Sequence, residues 1–311
     1  MKLRAYLLMV FTVAVWGSTF VLVKGALADA SPAAFNLLRM ALAFALLAVA
    51  YRGSWRGIRR GHLAAGALVG LFLAAGYQFQ TIGLVQTTPS KSAFITGLVV
   101  VLVPLFSSVP ALRPPGAHRL RWNAYTGAAL AFTGIVLLTV PARVETHGAG
   151  TLAALLPDFS SINIGDVITF GCSVAFALHC IALSHVSPRI AFQPLALLQI
   201  GFCAVFMAVS LPIIERPHIA FTPRLIFALG IAAALATAAA FSIQSWAQSI
   251  LPSTHIALLL TLEPVFAWIT SFLFVGERLG MRPASGALLI LAGIALTELV
   301  PQPHVPTAHE A

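Results

Sequence analysis

This chain of 311 residues is 59% hydrophobic and only 9% charged, with a mean hydropathy of +0.94, whereas soluble domains carry about 25% charged residues. That balance excludes a water-soluble globular protein. The net charge of +9 does not point to nucleic acid, because the basic residues gather in short connectors such as "RGSWRGIRRGH" (52–62) and "RPPGAHRLRW" (113–122), where they read as topology determinants.

Apolar runs long enough to cross a hydrocarbon core of roughly 30 Å recur from end to end, and ten are expected. The first (5–27) follows Lys2 and Arg4, and "ALADA" (26–30) has small residues at signal-peptidase spacing. Its apolar run is longer than a signal sequence and contains "VWGSTF", so it reads as a retained helix, with Trp16 and Ser18 as candidate lining residues. Lys24, near its end, is expected to snorkel. The second span (32–51) holds Arg39, and the third (63–85) holds "GYQFQTIG" with Tyr77 and Gln80. Thr96 and Pro104 lie in the fourth (91–112), and the fifth covers 122–140.

A connector rich in Pro, Gly, Ser and Thr (141–163) divides the chain. The sixth span (164–184) contains His179, and the seventh covers 194–214. The eighth (224–249) contains "FSIQSWAQS", with Gln244, Ser245, Trp246 and Gln248. Glu263 and Pro264 sit side by side in the ninth (255–275), and the tenth (284–300), with Glu298 near its end, precedes a short tail (301–311). Cys172, Cys180 and Cys203 all fall in apolar spans without CxxC or Cys/His spacing, so inert thiols are expected, with no disulfide framework and no metal site.

The halves look like copies. "GAALAFTGIVLLT" (127–139) aligns with "GALLILAGIALTE" (286–298) without a gap at a shift of 286 − 127 = 159. Pro104 lies over Pro264, and "FNLLR" (35–39) over "LALLQ" (195–199), at a shift of 160. The expected fold is therefore an all-α polytopic membrane protein of ten transmembrane helices in two five-helix repeats, 1–140 and 164–300. An odd number of spans per repeat inserts the second upside down, which is a transporter architecture. Basic residues in the first-half connectors favour the side of the N-terminus by nine to two, while the second half runs one to four the other way. The first half is given precedence, so both termini are expected in the cytoplasm.

Chemistry concentrates where charge meets lipid. A charge at a span centre costs about 2.5–3.5 kcal/mol on insertion scales, so Glu263 and Arg39 should face the bundle interior. Glu263 could bind a cationic group or carry a coupling proton, or it could be a structural partner of Arg39 or of polar side chains. Arg39 could clamp a carboxylate, or pair with Glu263 or Asp29. Pro104 and Pro264 would free the carbonyls of Val100 and Leu260 and bend their helices, which marks either a midplane binding site or a packing kink. The amides, Tyr77, Trp246 and Thr96 suit an amphiphilic solute, with interhelical hydrogen bonding as the competing role. His179, a lone buried histidine, fits either a lining or a structural place.

These segments also carry a resemblance. "WGSTF", "TTPSKSAFITGLVVVLVPL" (87–105), "GDVITFGCSVAFALH" (165–179) and "LLLTLEPVFAWITSFLFVGERL" (258–279) are similar to the drug/metabolite transporter superfamily, EamA branch, across essentially the whole chain. The resemblance implies a central cavity and export of small metabolites such as amino acids, with the family's Glu-Pro at Glu263 and Pro264 and its Gly-Glu at Gly276 and Glu277. The expectation is a secondary transporter in a bacterial inner membrane, with a small-molecule substrate, a coupling proton or ion, no cofactor, and room for a homodimer. The alternative class, an intramembrane enzyme acting on a lipid-like substrate, finds no HExxH, GxSxG or aspartate-rich motif here.

Overall fold

A computed structural model describes residues 2–113, 122–140, 162–187, 189–248 and 259–299. The connector 141–163, nearly all of it, and the tail 301–311 lie outside them, as do the first residues of the ninth span and the side chains of Ser245, Gln248 and Glu298.

The described chain is a bundle of helices: α1 (Lys2–Ala26), α2 (Pro32–Ala50), α3 (Arg60–Gln86), α4 (Pro89–Thr96), α5 (Val99–Ser107), α6 (Trp122–Thr139), α7 (Ile164–Val186), α8 (Phe192–Ile214), α9 (Pro223–Gly230), a π-helical segment (Ile231–Ala239), α10 (Ala240–Gln248), α11 (Glu263–Val275) and α12 (Met281–Leu299). Seven helical stretches among the described residues are long and apolar enough to cross a membrane, counting α4 with α5 and Pro223–Gln244 as one each. Shorter apolar helices cover Glu263–Val275 and Met281–Leu296. The protein is a multi-pass membrane protein.

Several ends follow from local chemistry. Thr88 caps α4 by accepting from Lys91 N, Asn163 caps α7 through Gly165 N, and Thr222 caps α9 through Leu225 N. Gly276, at φ 70°, stops α11 in the left-handed region where a side chain would be strained. Glu215 accepts from the N–H groups of Ala33 and Ala34, both at 3.0 Å, and so places a carboxylate on the N-terminus of α2.

In lipid there is no hydrophobic drive between helices, so close packing has to hold them together. α6 lies against α12, α3 against α7 and α8, α2 against α8 and the π segment, and α1 against α11. The α6–α12 seam is built on glycine. A methyl group on Gly134 or Gly286 would stand 2.5 Å from the other's carbonyl oxygen, and one on Gly293 would stand 2.4 Å from Gly127 O. Contacts pairing 134 with 286 and 127 with 293 run in opposite chain directions, so the two helices are antiparallel.

The interruptions do not fall on the prolines as expected. The fourth span breaks at Gly97–Leu98, and Pro104 sits farther on, inside α5. In the ninth span the turn is at Thr261–Leu262, and Pro264 occupies the first turn of α11, where a missing N–H breaks no helical bond.

Candidate functional site

A cavity of about 210 Å³ opens among α1, α2, α3, α4, α7, α10 and α11. Of the residues singled out in the sequence, Trp16, Arg39, Tyr77, Gln80, Thr96, His179, Gln244 and Glu263 line it. Four of these come from the first repeat's α1–α3 and one from its α4, and three from helices after the connector, so both halves build the wall.

Four other candidates stand elsewhere. Ser18 shares a 3.2 Å hydrogen bond with Thr270, tying α1 to α11. Trp246 packs beside Ala5, Met9 and Val13. Pro264 fills the space against Gly97, where an added methyl group would meet its ring at 3.1 Å. Pro104 is half-buried in α5 and does not reach the cavity wall.

Arg39, 3% exposed, pairs with neither carboxylate that the sequence suggested. Its Nε donates to Thr237 Oγ1 at 2.8 Å, its Nη2 reaches Tyr77 OH at 3.3 Å and Ala236 O at 3.4 Å, and its guanidinium lies 4.4 Å from the Tyr77 ring centroid. Asp29 instead receives Arg224 Nε at 2.7 Å and Nη2 at 2.8 Å, a bidentate pair near the surface. Among the described residues, Glu263 and Gln244 have no hydrogen-bond partner, and both face the cavity. His179 is committed to Gln199 at 3.0 Å, linking α7 to α8. Gln80 donates to Thr96 at 3.4 Å, and Trp16 Nε1 donates to Ala236 O at 2.8 Å.

The wall also contains residues that sequence reasoning passed over. Thr19, Phe20 and Val23 extend the Trp16 face of α1, and Phe176 and Phe241 add rings opposite Tyr77 and Trp16. Helical spacing from Trp16, His179 and Gln244 could have found them. Cys172 and Cys203 are buried, whereas Cys180, also expected to be buried, is half-buried and borders the cavity.

The two ends of the cavity differ. Thr19, Val23, Thr81 and Leu84, at one end, are buried, whereas Ser184 and Ser187, at the C-terminal end of α7, are exposed, so the cavity opens there. Past Val23 and Leu84 the bundle is tied shut. Lys24 does not snorkel: it donates to the carbonyls of Leu84, Val85 and Thr87 at 2.6, 2.8 and 3.1 Å, capping α3. Asp166 accepts from Thr87 and lies 3.8 Å from Lys91. Glu277 accepts from Ser90 Oγ at 2.8 Å and from Ser271. Together these bonds fasten α1, α3, α4, α7 and α11 at one end.

The EamA-like transporter family model matches residues 3–140 and 163–299. The chain belongs to the EamA-like transporter family. Two proteins of Archaeoglobus fulgidus, each described as an uncharacterized transporter, are 29% identical over 96% of this chain and 87% of their own length, and 24% identical over 96% and 98%. A solved crystal structure of a protein aligns with 96% of this chain and 98% of its own at a TM-score of 0.62. Its identity of 19% makes that a likeness of fold alone. The two stretches of the family match meet at the connector, and the cavity is lined from both of them.

Proposed function

We propose that this EamA-like chain is a secondary-active transporter that exports small amphiphilic metabolites, such as amino acids or related solutes, by alternating access. The observation that carries the reading is the two-sided cavity, open at one end and tied at the other, with Glu263 and Gln244 facing it unpartnered. An aromatic wall with one carboxylate and one guanidinium suits a solute with an apolar body and both charges. Glu263 is the candidate for the coupling proton, because a carboxylate with no fixed partner can exchange a proton for a cationic group.

The same reading makes the ten spans an inverted repeat. At a shift of 159 the contact of Gly134 with Gly286 becomes that of Gly293 with Gly127, which supports relating the halves by a two-fold axis in the membrane plane. The packing of α3 on α7 has its counterpart in that of the eighth span on α1, as that of α3 on α8 has in the π segment on α2. With both termini in the cytoplasm of a bacterial cell bounded by its inner membrane, the described conformation is open inward and closed outward.

Purified protein in proteoliposomes, screened with pooled metabolites under an imposed proton gradient, tests the reading. Accumulation of a solute that collapses with a protonophore is expected. Failure to move any solute, with or without a gradient, defeats it.

A further inference from the structure

The eighth span contains nine consecutive residues, Ile231–Ala239, in π-helical geometry. π-helix is rare and mostly a single-turn bulge, and a stretch of this length in a membrane bundle needs something to hold it. Ala240 N–H bonds Leu235 O, five residues back, and Thr237 O, three back, and so passes over the carbonyl of Ala236. Where a five-back ladder hands over to the four-back ladder of α10, one carbonyl is passed over, and Ala236 lies at that handover. In lipid such a group has to find another partner. It finds two: Trp16 Nε1 at 2.8 Å and Arg39 Nη2 at 3.4 Å. Thr237, the following residue, returns its hydroxyl to Ala232 O at 2.8 Å, again five back, and accepts Arg39 Nε at 2.8 Å.

We propose that Arg39 and Trp16 are positioning residues that hold the Ile231–Ala239 segment in its π register and thereby turn the α10 side chains Phe241 and Gln244 into the cavity. The register has a geometric consequence. A five-back bond such as that of Ala240 to Leu235 takes up one residue more than a four-back one, and one residue is about 100° of α-helical turn, so the face that α10 presents differs by about a quarter of a turn between the two registers. Returning the segment to α geometry would swing Phe241 and Gln244 off the cavity wall. On this account most of Arg39's hydrogen-bonding capacity is spent on Thr237, Ala236 and Tyr77. Its part in specificity is to choose which face of α10 a solute meets.

The experiment reads side-chain accessibility and needs no substrate, so its outcome is independent of whether the chain moves solutes. Gln244→Cys protein is treated with a water-soluble methanethiosulfonate reagent, and native Cys180, which borders the same cavity from α7, serves as internal reference. Cys172 and Cys203 are fully buried. Trp16→Phe, which keeps a ring but loses the N–H, and Thr237→Val are each expected to lower labelling at position 244 relative to Cys180 by about tenfold, because thiol reactivity follows exposure. Thr237→Ser keeps the hydroxyl and should leave the ratio unchanged. A ratio unmoved by both Trp16→Phe and Thr237→Val overturns the proposal. An equal fall at both positions does so too, since it would mean that these bonds hold the cavity as a whole and not the register of one helix.

Discussion

Glu263 and Arg39 face one cavity in different circumstances. Arg39 is held by a hydroxyl, a carbonyl and a ring, whereas Glu263 stands without a partner among the described residues. A charged group with fixed partners is expensive to disturb, and one without them is free to act. Glu263→Gln is therefore expected to leave folding and membrane insertion intact while gradient-driven flux falls at least about tenfold, the scale of one lost ionic contact; flux and thermal unfolding measured on the same preparation check it. Arg39→Ala removes the donors to Thr237 and Ala236, and should destabilise the protein by about 2 kcal/mol, the worth of hydrogen bonds from a charged donor. A thermal melt in detergent reads that loss directly.

At the scale of elements, the α6–α12 seam depends on an absent side chain. Gly286→Ala would drive a methyl group to 2.5 Å from Gly134 O, and backbone cannot yield as a flexible side chain can. Overpacking of this kind costs about 1–3 kcal/mol, so a clear drop in melting temperature is expected. Gly25, in α1, has open space around its Cβ position, and Gly25→Ala should be neutral or slightly stabilising. The comparison separates crowding from helix propensity, which would favour alanine at both sites. The same logic explains why Pro264 ends no helix: in the first turn of α11 it takes away an N–H that had no intrahelical partner.

Across the whole molecule, one end is knotted and the other open. Ser184→Cys, on the exposed end of the cavity wall, should react readily with a membrane-impermeant thiol reagent, and Ser90→Cys, beneath Glu277 and fully buried, should resist it. Reaction from the cytoplasmic side of oriented vesicles fits the assigned topology, and reaction from the opposite side reverses it. The tied end also links the two halves through Asp29, which lies between α1 and α2. Hydrogen bonds from Arg224 and Thr222 hold its carboxyl below the usual carboxylate range. Because the folded value is the lower one, the stabilisation is present above the unfolded value of about 3.9 and is lost as pH falls through the folded value. Asp29→Asn should thus lower the melting temperature at neutral pH, and the difference from the natural protein should vanish in strong acid.

Composition and spacing were enough to establish a membrane protein. Runs of apolar residues with so few charges have no other stable environment, and the matched "GAALAFTGIVLLT" and "GALLILAGIALTE" segments already held the glycines that α6 and α12 use. The placement of Trp16, Tyr77, Gln244 and Glu263 toward one interior space was legible too, because polar groups in lipid-length helices have to point inward. Partner choice was not legible. Nothing local joins Arg39 to Thr237, Lys24 to the end of α3, or Asp29 to Arg224, since these pairs are set by helices that meet across tens to hundreds of residues of sequence. The π register was equally hidden: "IAAALATAA" reads as an ordinary apolar helix, and its five-residue ladder acquires side-chain partners only once Trp16 and Arg39 are packed against it. Periodicity is a property of one helix and can be read along the chain. Hydrogen-bond pairing and register depend on which helices become neighbours, and only the folded bundle decides that.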